Sequence, residues 1–300
     1  MLANTDIMRI PESELILNSD GSVYHLNLLP HQIAHDIITV GDPNRVDAIS
    51  QYFNTIEHSI HKREFKTVTG VYAGKRITVI STGIGTDNID IVINELDALV
   101  NVDLKTRKIK DEITSLRLYR IGTSGSIRAD VEVDSIIISK YAIGLDGLMN
   151  YYNREPSNAE DIIAKLAKDI LRKDLPKVNP YGASASSSLI EKYKGLGRLG
   201  ITATAAGFYG PQGRSIRLTN NSTNFLDELA TIEFEGIFAT NLEMETSGIY
   251  SLCNELGHHA ISLNAILANR VKGDFSVDTK VAINGLIVDF LKIWGGIKKR

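Results

Sequence analysis

The chain is poor in cysteine, has no surplus of positive charge and contains no long apolar run. Its one cysteine, Cys253, excludes an intrachain disulfide and a cysteine-rich zinc site. The net charge of −3 and the pI of about 6.2 do not provide the basic surface that nucleic acid or an anionic membrane attracts. No uncharged apolar stretch approaches the ~20 residues that a membrane-spanning helix needs. We therefore expect no nucleic-acid or membrane partner.

The N-terminal segment also lacks the features of a signal peptide. Residues 1–22 include Asp6, Glu12 and Glu14 and have no long apolar core. A hydrophobic content of 43% with 23% charged residues is typical of a globular protein with a sizeable core. Together these features predict a cytoplasmic protein.

Strand-like and helix-like segments alternate along the chain, which predicts an α/β fold built in layers. Residues 116–121 form a predicted strand that ends at the glycine-rich residues 122–125. No linker divides the chain, so we expect a single domain at residues 23–300 after an N-terminal extension at residues 1–22. Residues 173–200 are rich in serine and glycine, and we predict that they form the loosest part, an insertion or lid.

Residues 208–214 combine an aromatic ring, an amide and a guanidinium. Phe208 can stack on a flat heterocycle, or it can pack in the core. Gln212 both donates and accepts hydrogen bonds, whereas Arg214 only donates, so the pair can read the polar edge of a base.

Residues 241–246 place two carboxylates on either side of a thioether. Carboxylates accept hydrogen bonds from sugar hydroxyls, and Met244 can pack under an apolar ring face. We expect Glu243 and Glu245 to point in different directions, and we assign the sugar contact mainly to Glu245, which is nearer the next helix. An ordinary surface pair is the alternative. A base reader together with a ribose reader predicts a nucleoside site.

Two further segments have features of an anion site. Residues 41–45 connect the predicted strand Asp36–Val40 to a helix, where backbone N–H groups and Arg45 can hold phosphate. The alternative is an ordinary turn with a surface arginine. Arg120 lies near the end of a buried strand, before the hydroxyl of Thr123, and a buried arginine needs a counter-charge. That charge is either a bound anion or a structural carboxylate.

Two other patterns do not indicate a site. Residues 195–200 match the glycine spacing of a dinucleotide-binding turn, but a helix or loop precedes them and a strand follows, which is the reverse of the required order. His31 and His35, and likewise His58 and His61, have no third ligand nearby in the sequence. We therefore expect no metal.

Taken together, the polar segments resemble the uridine phosphorylase branch of the nucleoside phosphorylase family. The similarity covers residues 23–146 and resumes at residues 200–270. The matching positions, in one order and at similar spacing, are residues 24–26, 41–45, 63–65, 81–85, 120–123, Phe208 with Gln212 and Arg214, residues 243–245, and Asn269 with Arg270. The resemblance implies a three-layer α/β/α fold with a mixed central sheet, and a hexamer assembled as a trimer of dimers.

The resemblance also implies the members of the site. The implied phosphate ligands are Gly41, Arg45, Arg120 and Thr123, with Arg63 from the neighbouring subunit. The implied nucleoside contacts are His25 from the neighbouring subunit, Thr123, Phe208, Gln212, Arg214, Glu243, Met244, Glu245 and Arg270. Of these, the implied catalytic residues are Arg120, Gln212, Arg214 and Glu245. Asn269 and Arg270 stand close to the point where the purine branch places an aspartate, which favours uridine.

Three features depart from the family pattern. Residues 147–199 are longer and differ in sequence, which indicates a divergent insertion or lid. Family members often bind potassium through a Glu, an Ile carbonyl and a Ser; Glu64 and Ile84 match, but Asn88 replaces the serine, which argues against potassium. Residues 210–211 read Gly-Pro, the reverse of the usual order, so the loop that contains Phe208, Gln212 and Arg214 can differ in shape.

The predicted function is reversible phosphorolysis of uridine to uracil and ribose 1-phosphate, with phosphate as co-substrate and no cofactor. Deoxyuridine and thymidine remain open as substrates. The alternatives are a purine nucleoside phosphorylase, a nucleosidase that uses water, and a non-catalytic nucleoside-binding protein, since a fold does not fix a function.

Overall fold

The computed structural model describes residues 9–220 and 224–297 and groups the chain into two units. The first unit comprises residues 1–83 and 91–117, and the second comprises residues 84–90 and 118–300. Residues 1–8 of the predicted N-terminal extension lie outside the described residues, and the bounds of that extension and of a single domain stay predictions. Within the described residues, no helix combines the length and the hydropathy that crossing a membrane requires.

The first unit is built around a four-stranded mixed sheet. Its elements are β1 (Asp36–Val40), α1 (Pro43–Ser50), β2 (Thr55–Lys62), β3 (Phe65–Tyr72), β4 (Lys75–Ser81), the later turns of α2 (Thr86–Asn101), β5 (Val102–Asp103) and β6 (Lys108–Ile109). The strand order is β1-β4-β3-β2, with β1 parallel to β4 and the other pairs antiparallel. The predicted strand β1 is confirmed. Asp42 caps the N-terminus of α1, because its Oδ1 accepts a hydrogen bond from the backbone N of Asn44 at 2.9 Å.

The second unit contains most of the remaining strands and helices. In chain order they are β7 (Arg117–Ser126), β8 (Ile136–Gly144), α3 (Asn158–Leu171), β9 (Tyr181–Ser184), α4 (Ser187–Tyr193), β10 (Arg198–Thr204), α5 (Phe225–Ala230), β11 (Glu233–Phe234), β12 (Ile237–Glu243), α6 (Thr246–Glu255), β13 (His259–Asn269), β14 (Asp274–Phe275) and α7 (Thr279–Gly295). Residues 195–200 run from the end of α4 into β10, so the rejection of a dinucleotide-binding turn is confirmed.

Five strands of the second unit form a closed ring. The ring order β12-β10-β8-β13-β7 is mixed, because β10 is parallel to β8 and β12 while β13 is antiparallel to β8; β11 pairs with β12 outside the ring. β7 also pairs with β12, with Gly125 opposite Leu242 and Ser126 opposite Asn241. The prediction that this strand ends before residue 122 is therefore wrong. Pairing with a distant strand holds the glycine-rich stretch extended, and sequence-local turn signals do not report such a contact.

One apolar core of the second unit lies where α3 and α5 pack against the strands. Ile163 and Leu171 of α3 are buried together with Phe225 of α5, and they contact Ile143 of β8 and Ile201 of β10. Burying each of these side chains contributes about 1.5–3 kcal/mol relative to exposure. This packing attaches the divergent residues 147–199 to the ring.

The stretch predicted as loose, residues 173–200, contains the ordered strand β9 and helix α4. β9 pairs antiparallel with β8. α3 packs closely on it, because a Cβ at Gly182 would lie 2.1 Å from the carbonyl oxygen of Glu160, so only glycine fits there. Glu160 also closes the N-terminus of α3, where its side chain and that of Ser157 bond each other's backbone N–H groups. The stretch thus contains regular elements, with Gly182 placed where α3 packs closely, and its role as an insertion or lid stays a prediction.

Candidate active site

Arg120 is the buried charge at the centre of the second unit. Only 7% of the residue is exposed. Its Nη2 donates to Glu245 Oε2 at 2.6 Å and lies 3.0 Å from Glu243 Oε2, while Nη1 donates to Asn264 Oδ1 at 2.6 Å. The sequence left open whether a bound anion or a structural carboxylate balances this charge, and the structure shows two carboxylates beside it. Burial acts to lower the pKa of Arg120, but the attraction of Glu243 and Glu245 outweighs it and raises that pKa.

Gly122 makes room for the guanidinium of Arg120. A Cβ at position 122 would lie 1.9 Å from Arg120 Nη1 and 2.4 Å from its Cζ. The side chain of Arg120 therefore folds back along its own strand and crosses the backbone two residues later. No side chain larger than hydrogen is compatible with this path, so Gly122 is a requirement of the arginine and not of a turn.

Polar side chains connect four other strands of the ring to Arg120 through Asn264. Asn264 Nδ2 donates to Ser139 Oγ at 3.1 Å, and Ser139 Oγ lies 2.5 Å from Thr202 Oγ1. Thr202 in turn donates to Asn241 Oδ1, and Asn241 Nδ2 donates to Ser124 Oγ, both at 2.9 Å. All five residues are buried. Since an unpaired polar group would be costly there, the network fixes the side-chain positions inside the ring.

Both carboxylates of residues 243–245 lie at the start of α6 and reach Arg120. β12 ends at Glu243, and the backbone turns into α6 at Glu245, so the expectation that the two side chains point in different directions is wrong. Both are buried, which excludes the alternative of a surface pair. Glu243 accepts hydrogen bonds from the backbone N of Glu245 and of Thr246, each at 2.9 Å, and from Thr204 Oγ1 at 2.7 Å.

Glu243 and Glu245 differ in the capacity that they leave for a ligand. Protein donors surround both oxygens of Glu243, and burial raises the pKa of its carboxyl against the attraction of Arg120. Glu245 accepts one bond at each oxygen, from Gly85 N at 2.9 Å and from Arg120 at 2.6 Å. A carboxylate has about four acceptor positions, so Glu245 can also accept bonds from sugar hydroxyls.

Residues 208–214, the base loop, form a second polar centre in the same unit. Phe208 is 50% exposed, which excludes core packing, and its ring centroid lies 3.9 Å from Arg214 Cζ. Arg214 Nη1 donates to Gln212 Oε1 and to the carbonyl oxygen of Phe208, both at 2.7 Å. Because the amide oxygen of Gln212 faces Arg214, its Nε2 remains a donor for a ligand. The structure thus brings Phe208, Gln212 and Arg214 together, and their role in reading a base stays a prediction.

Arg214 and Arg270 give the base loop a positive character. Arg270 Nη1 donates to the carbonyl oxygen of Gln212 at 2.9 Å. Burial lowers the pKa of both arginines, and for Arg214 the repulsion of Arg270 adds to it. In the described part of the chain, neither forms an ion pair with a carboxylate, in contrast to Arg120. Such a centre attracts an electron-rich or anionic group.

Asn269 holds the loop that carries Arg270, a role that the sequence did not reveal. Its Oδ1 accepts from the backbone N of Val271 at 3.0 Å and of Lys272 at 2.9 Å, and its Nδ2 donates to the carbonyl oxygens of Val131 and Arg128 at 2.8 and 3.0 Å. The residue is 1% exposed. A single asparagine at the end of an apolar strand is the only signal of this anchor.

Four of the predicted site residues lie in the first unit. Gly41 follows β1, and Arg45 lies in the first turn of α1. Arg63 is exposed in the turn between β2 and β3, where it adopts a φ of 55°. His25 Nδ1 lies 2.6 Å from Glu95 Oε1, which also accepts the backbone N–H of His25.

Two predicted contacts of the second unit also have defined places. Thr123 is in the middle of β7, and Met244 is half-buried between β12 and α6. Among residues 9–220 and 224–297, no three His, Cys, Asp or Glu side chains are grouped so that they could hold a metal ion. The roles of the predicted residues, and the expectation of no cofactor, stay predictions.

Comparison with known proteins places this geometry in a family. The sequence pattern of the phosphorylase superfamily matches residues 36–284. The chain belongs to the phosphorylase superfamily. A uridine phosphorylase of Thermococcus kodakarensis is 30% identical to it over 262 residues, which are 85% of this chain and 80% of that protein. A purine nucleoside phosphorylase of the DeoD type from Bacillus subtilis is 27% identical over 252 residues, 83% of this chain and 88% of that protein.

Solved structures of the phosphorylase superfamily have the same fold. A nucleoside phosphorylase of Trypanosoma brucei that shows uridine phosphorylase activity superposes with a TM-score of 0.83 at 30% identity, covering 93% of this chain and 98% of that one. The predicted α/β fold with a mixed central sheet, and the resemblance on which it rested, are therefore confirmed.

Replacing Gly122 with alanine tests the close contact with Arg120. The new methyl group would displace the guanidinium and break its hydrogen bonds, so we expect the free energy of unfolding in urea to fall by about 1–3 kcal/mol. Gly195→Ala is the matched control, because a Cβ there has no neighbour within 4 Å and Gly195 does not have a positive φ. Equal stability of the two variants would contradict the described path of Arg120.

Proposed function

We propose that this protein catalyses the reversible phosphorolysis of uridine to uracil and ribose 1-phosphate. The observation that carries the proposal is the base loop, where Gln212 offers an amide donor beside Arg214, and neither Arg214 nor Arg270 has a carboxylate partner in the described residues. Uracil presents carbonyl acceptors to such donors and leaves as an anion. The uridine phosphorylase and the structure of a protein with that activity, each 30% identical, support the same substrate.

The reaction separates charge, and the site provides opposite charges for it. As the glycosidic bond lengthens, negative charge builds on the base and positive charge builds on the ribose. Arg214 and the Nε2 of Gln212 donate to the base more strongly as its charge grows, so they stabilise the transition state more than the ground state. Glu245 fixes the ribose hydroxyls. The base then departs without a general acid, and its proton comes later from water.

Phosphate is the nucleophile, and we assign it to Arg45, Arg120, Gly41 and Thr123. Arg120 is bonded to Glu245, so one guanidinium would serve both the phosphate and the ribose carboxylate. Holding phosphate in line with C1′ replaces a bimolecular encounter by a positioned one, which contributes several kcal/mol of the barrier reduction.

The remaining parts of the proposal concern assembly. We propose a cytoplasmic homo-hexamer, a trimer of dimers, in which Arg63 and His25 of each subunit complete the site of its neighbour. Inorganic phosphate is the only co-substrate, and no resident cofactor takes part. The exposed position of Arg63, at a turn between two strands, is compatible with a reach beyond its own subunit.

Release of uracil from uridine, with and without phosphate, tests the proposed activity. We expect release that depends on phosphate and little hypoxanthine from inosine in a parallel assay. Deoxyuridine and thymidine are added as further substrates. Equal release without phosphate would indicate a hydrolase, and faster cleavage of inosine would indicate the purine specificity of the Bacillus subtilis relative.

Removing Arg214 tests the stabilisation of the leaving base. We expect Arg214→Ala to lower kcat/KM for uridine by about 100-fold or more, because one donor to a developing anion is worth about 2.7–4 kcal/mol. Arg217→Ala is the matched control, since Arg217 is an exposed arginine of the same segment. Similar losses in the two variants would refute the assignment of Arg214.

Mixing two inactive variants tests the shared phosphate site. Arg45→Ala removes a subunit's own ligand, and Arg63→Ala removes the ligand that it supplies to its neighbour. In a mixed dimer one site carries both changes and the other carries neither. After joint refolding of equal amounts we expect roughly a quarter of the wild-type activity from random pairing. No recovery would show that both arginines act within one subunit.

A further inference from the structure

Tyr181 belongs to the divergent residues 147–199, and it extends towards the carboxylates of the site. It lies on β9 and is 7% exposed. Its hydroxyl lies 2.9 Å from both carboxylate oxygens of Asp146 and 2.9 Å from Ser247 Oγ. Ser247 Oγ also lies 2.9 Å from Asp146 Oδ2. A phenol, a hydroxyl and a carboxylate thus form one closed triangle at the first turn of α6.

The ring of Tyr181 fits against bare backbone. Gly144 is its partner in the β8–β9 ladder, and a Cβ at Gly144 would lie 2.2 Å from the ring. The ring therefore packs closely over the end of β8, a contact that only glycine permits. This packing fixes the position of the hydroxyl group beside Asp146 and Ser247.

Ser247 connects this triangle to the site, because its Oγ belongs to the triangle while its backbone N bonds in the direction of Glu243. The backbone N of Ser247 donates to Thr204 Oγ1 at 2.9 Å, and Thr204 Oγ1 donates to Glu243 Oε1 at 2.7 Å. A hydroxyl has one hydrogen and two lone pairs, so Thr204 gives its hydrogen to Glu243 and accepts from Ser247 N, which joins Glu243 to the start of α6. Glu243 in turn lies 3.0 Å from Arg120.

The phenol of Tyr181 is a permanent donor in this chain. Burial raises its pKa well above the ordinary value, and the charge of Asp146 raises it further. The hydroxyl therefore keeps its proton at any working pH and donates to the carboxylate.

We propose that Tyr181 is a positioning residue, which holds the start of α6 and, through Ser247 and Thr204, sets the orientation of Glu243 beside Arg120. The inference rests on the proposed function, because it concerns the ribose end of the same site. In this way residues 147–199 contribute to the site, because Tyr181 of this segment is buried and helps to hold the carboxylates in position.

The variant Tyr181→Phe keeps the ring on Gly144 and removes only the hydroxyl. We expect kcat/KM for uridine to fall about five- to tenfold, the effect of one lost hydrogen bond in a buried network. Tyr152→Phe is the matched control, because Tyr152 lies on the same segment and its hydroxyl also donates to an aspartate, Asp90, outside this chain of bonds. It should change kcat/KM less than twofold. Ser247→Ala, which leaves the phenol intact, should reproduce the loss.

A double-mutant cycle distinguishes positioning from a general loss of stability. In a Thr204→Val background the chain to Glu243 is already cut, so adding Tyr181→Phe should lower kcat/KM less than twofold further. A full additional loss, or equal values for Tyr181→Phe and Tyr152→Phe, would overturn the inference while the proposed function stands. Wild-type protein that neither binds uridine in calorimetry nor cleaves it would overturn the proposed function and this inference with it.

Discussion

Arg120 carries a buried charge that needs partners, and this need determines the arrangement of several elements in the second unit. A guanidinium that loses water inside a protein is stable only if carboxylates and hydrogen-bond acceptors replace that water. Glu243 and Glu245 supply the charge, Asn264 supplies a neutral acceptor, and Gly122 leaves the space in which the side chain folds back. Each partner has a further bond to a strand or helix start. The position of one charge therefore constrains several elements at once.

The two centres of this unit have opposite electrostatic characters, and the difference follows from their partners. At Arg120 one guanidinium faces two carboxylates, so acidic groups outnumber basic ones there. At the base loop, Arg214 and Arg270 donate to amide and carbonyl oxygens and have no carboxylate partner among the described residues, so that end is cationic. A nucleoside that separates charge along its glycosidic bond, with the cation on the sugar, would match both ends. Complementarity of this kind acts mainly on the transition state.

The residue types in the sequence predicted the candidate site residues better than they predicted the residues that hold them in place. Phe208, Gln212 and Arg214 could be grouped because they stand within seven positions, and the loop brings them together locally. The common direction of Glu243 and Glu245 depends on where β12 ends. The anchors Asn264 and Asn269 are single polar residues in apolar strands, and their partners come from segments far away in the sequence. Hydrogen bonds between distant residues leave no local pattern.

The pairing of β7 with β12 has a consequence for the order in which the protein acquires its structure. Gly125 and Leu242 are far apart in the chain, and a ribosome delivers the first long before the second. The ring therefore cannot close before residue 242 has been synthesised. β12 ends at Glu243, so the strand that closes the ring and the two residues after it bring the carboxylate partners of Arg120. Closure of the ring and compensation of the buried charge thus depend on the same short stretch of chain.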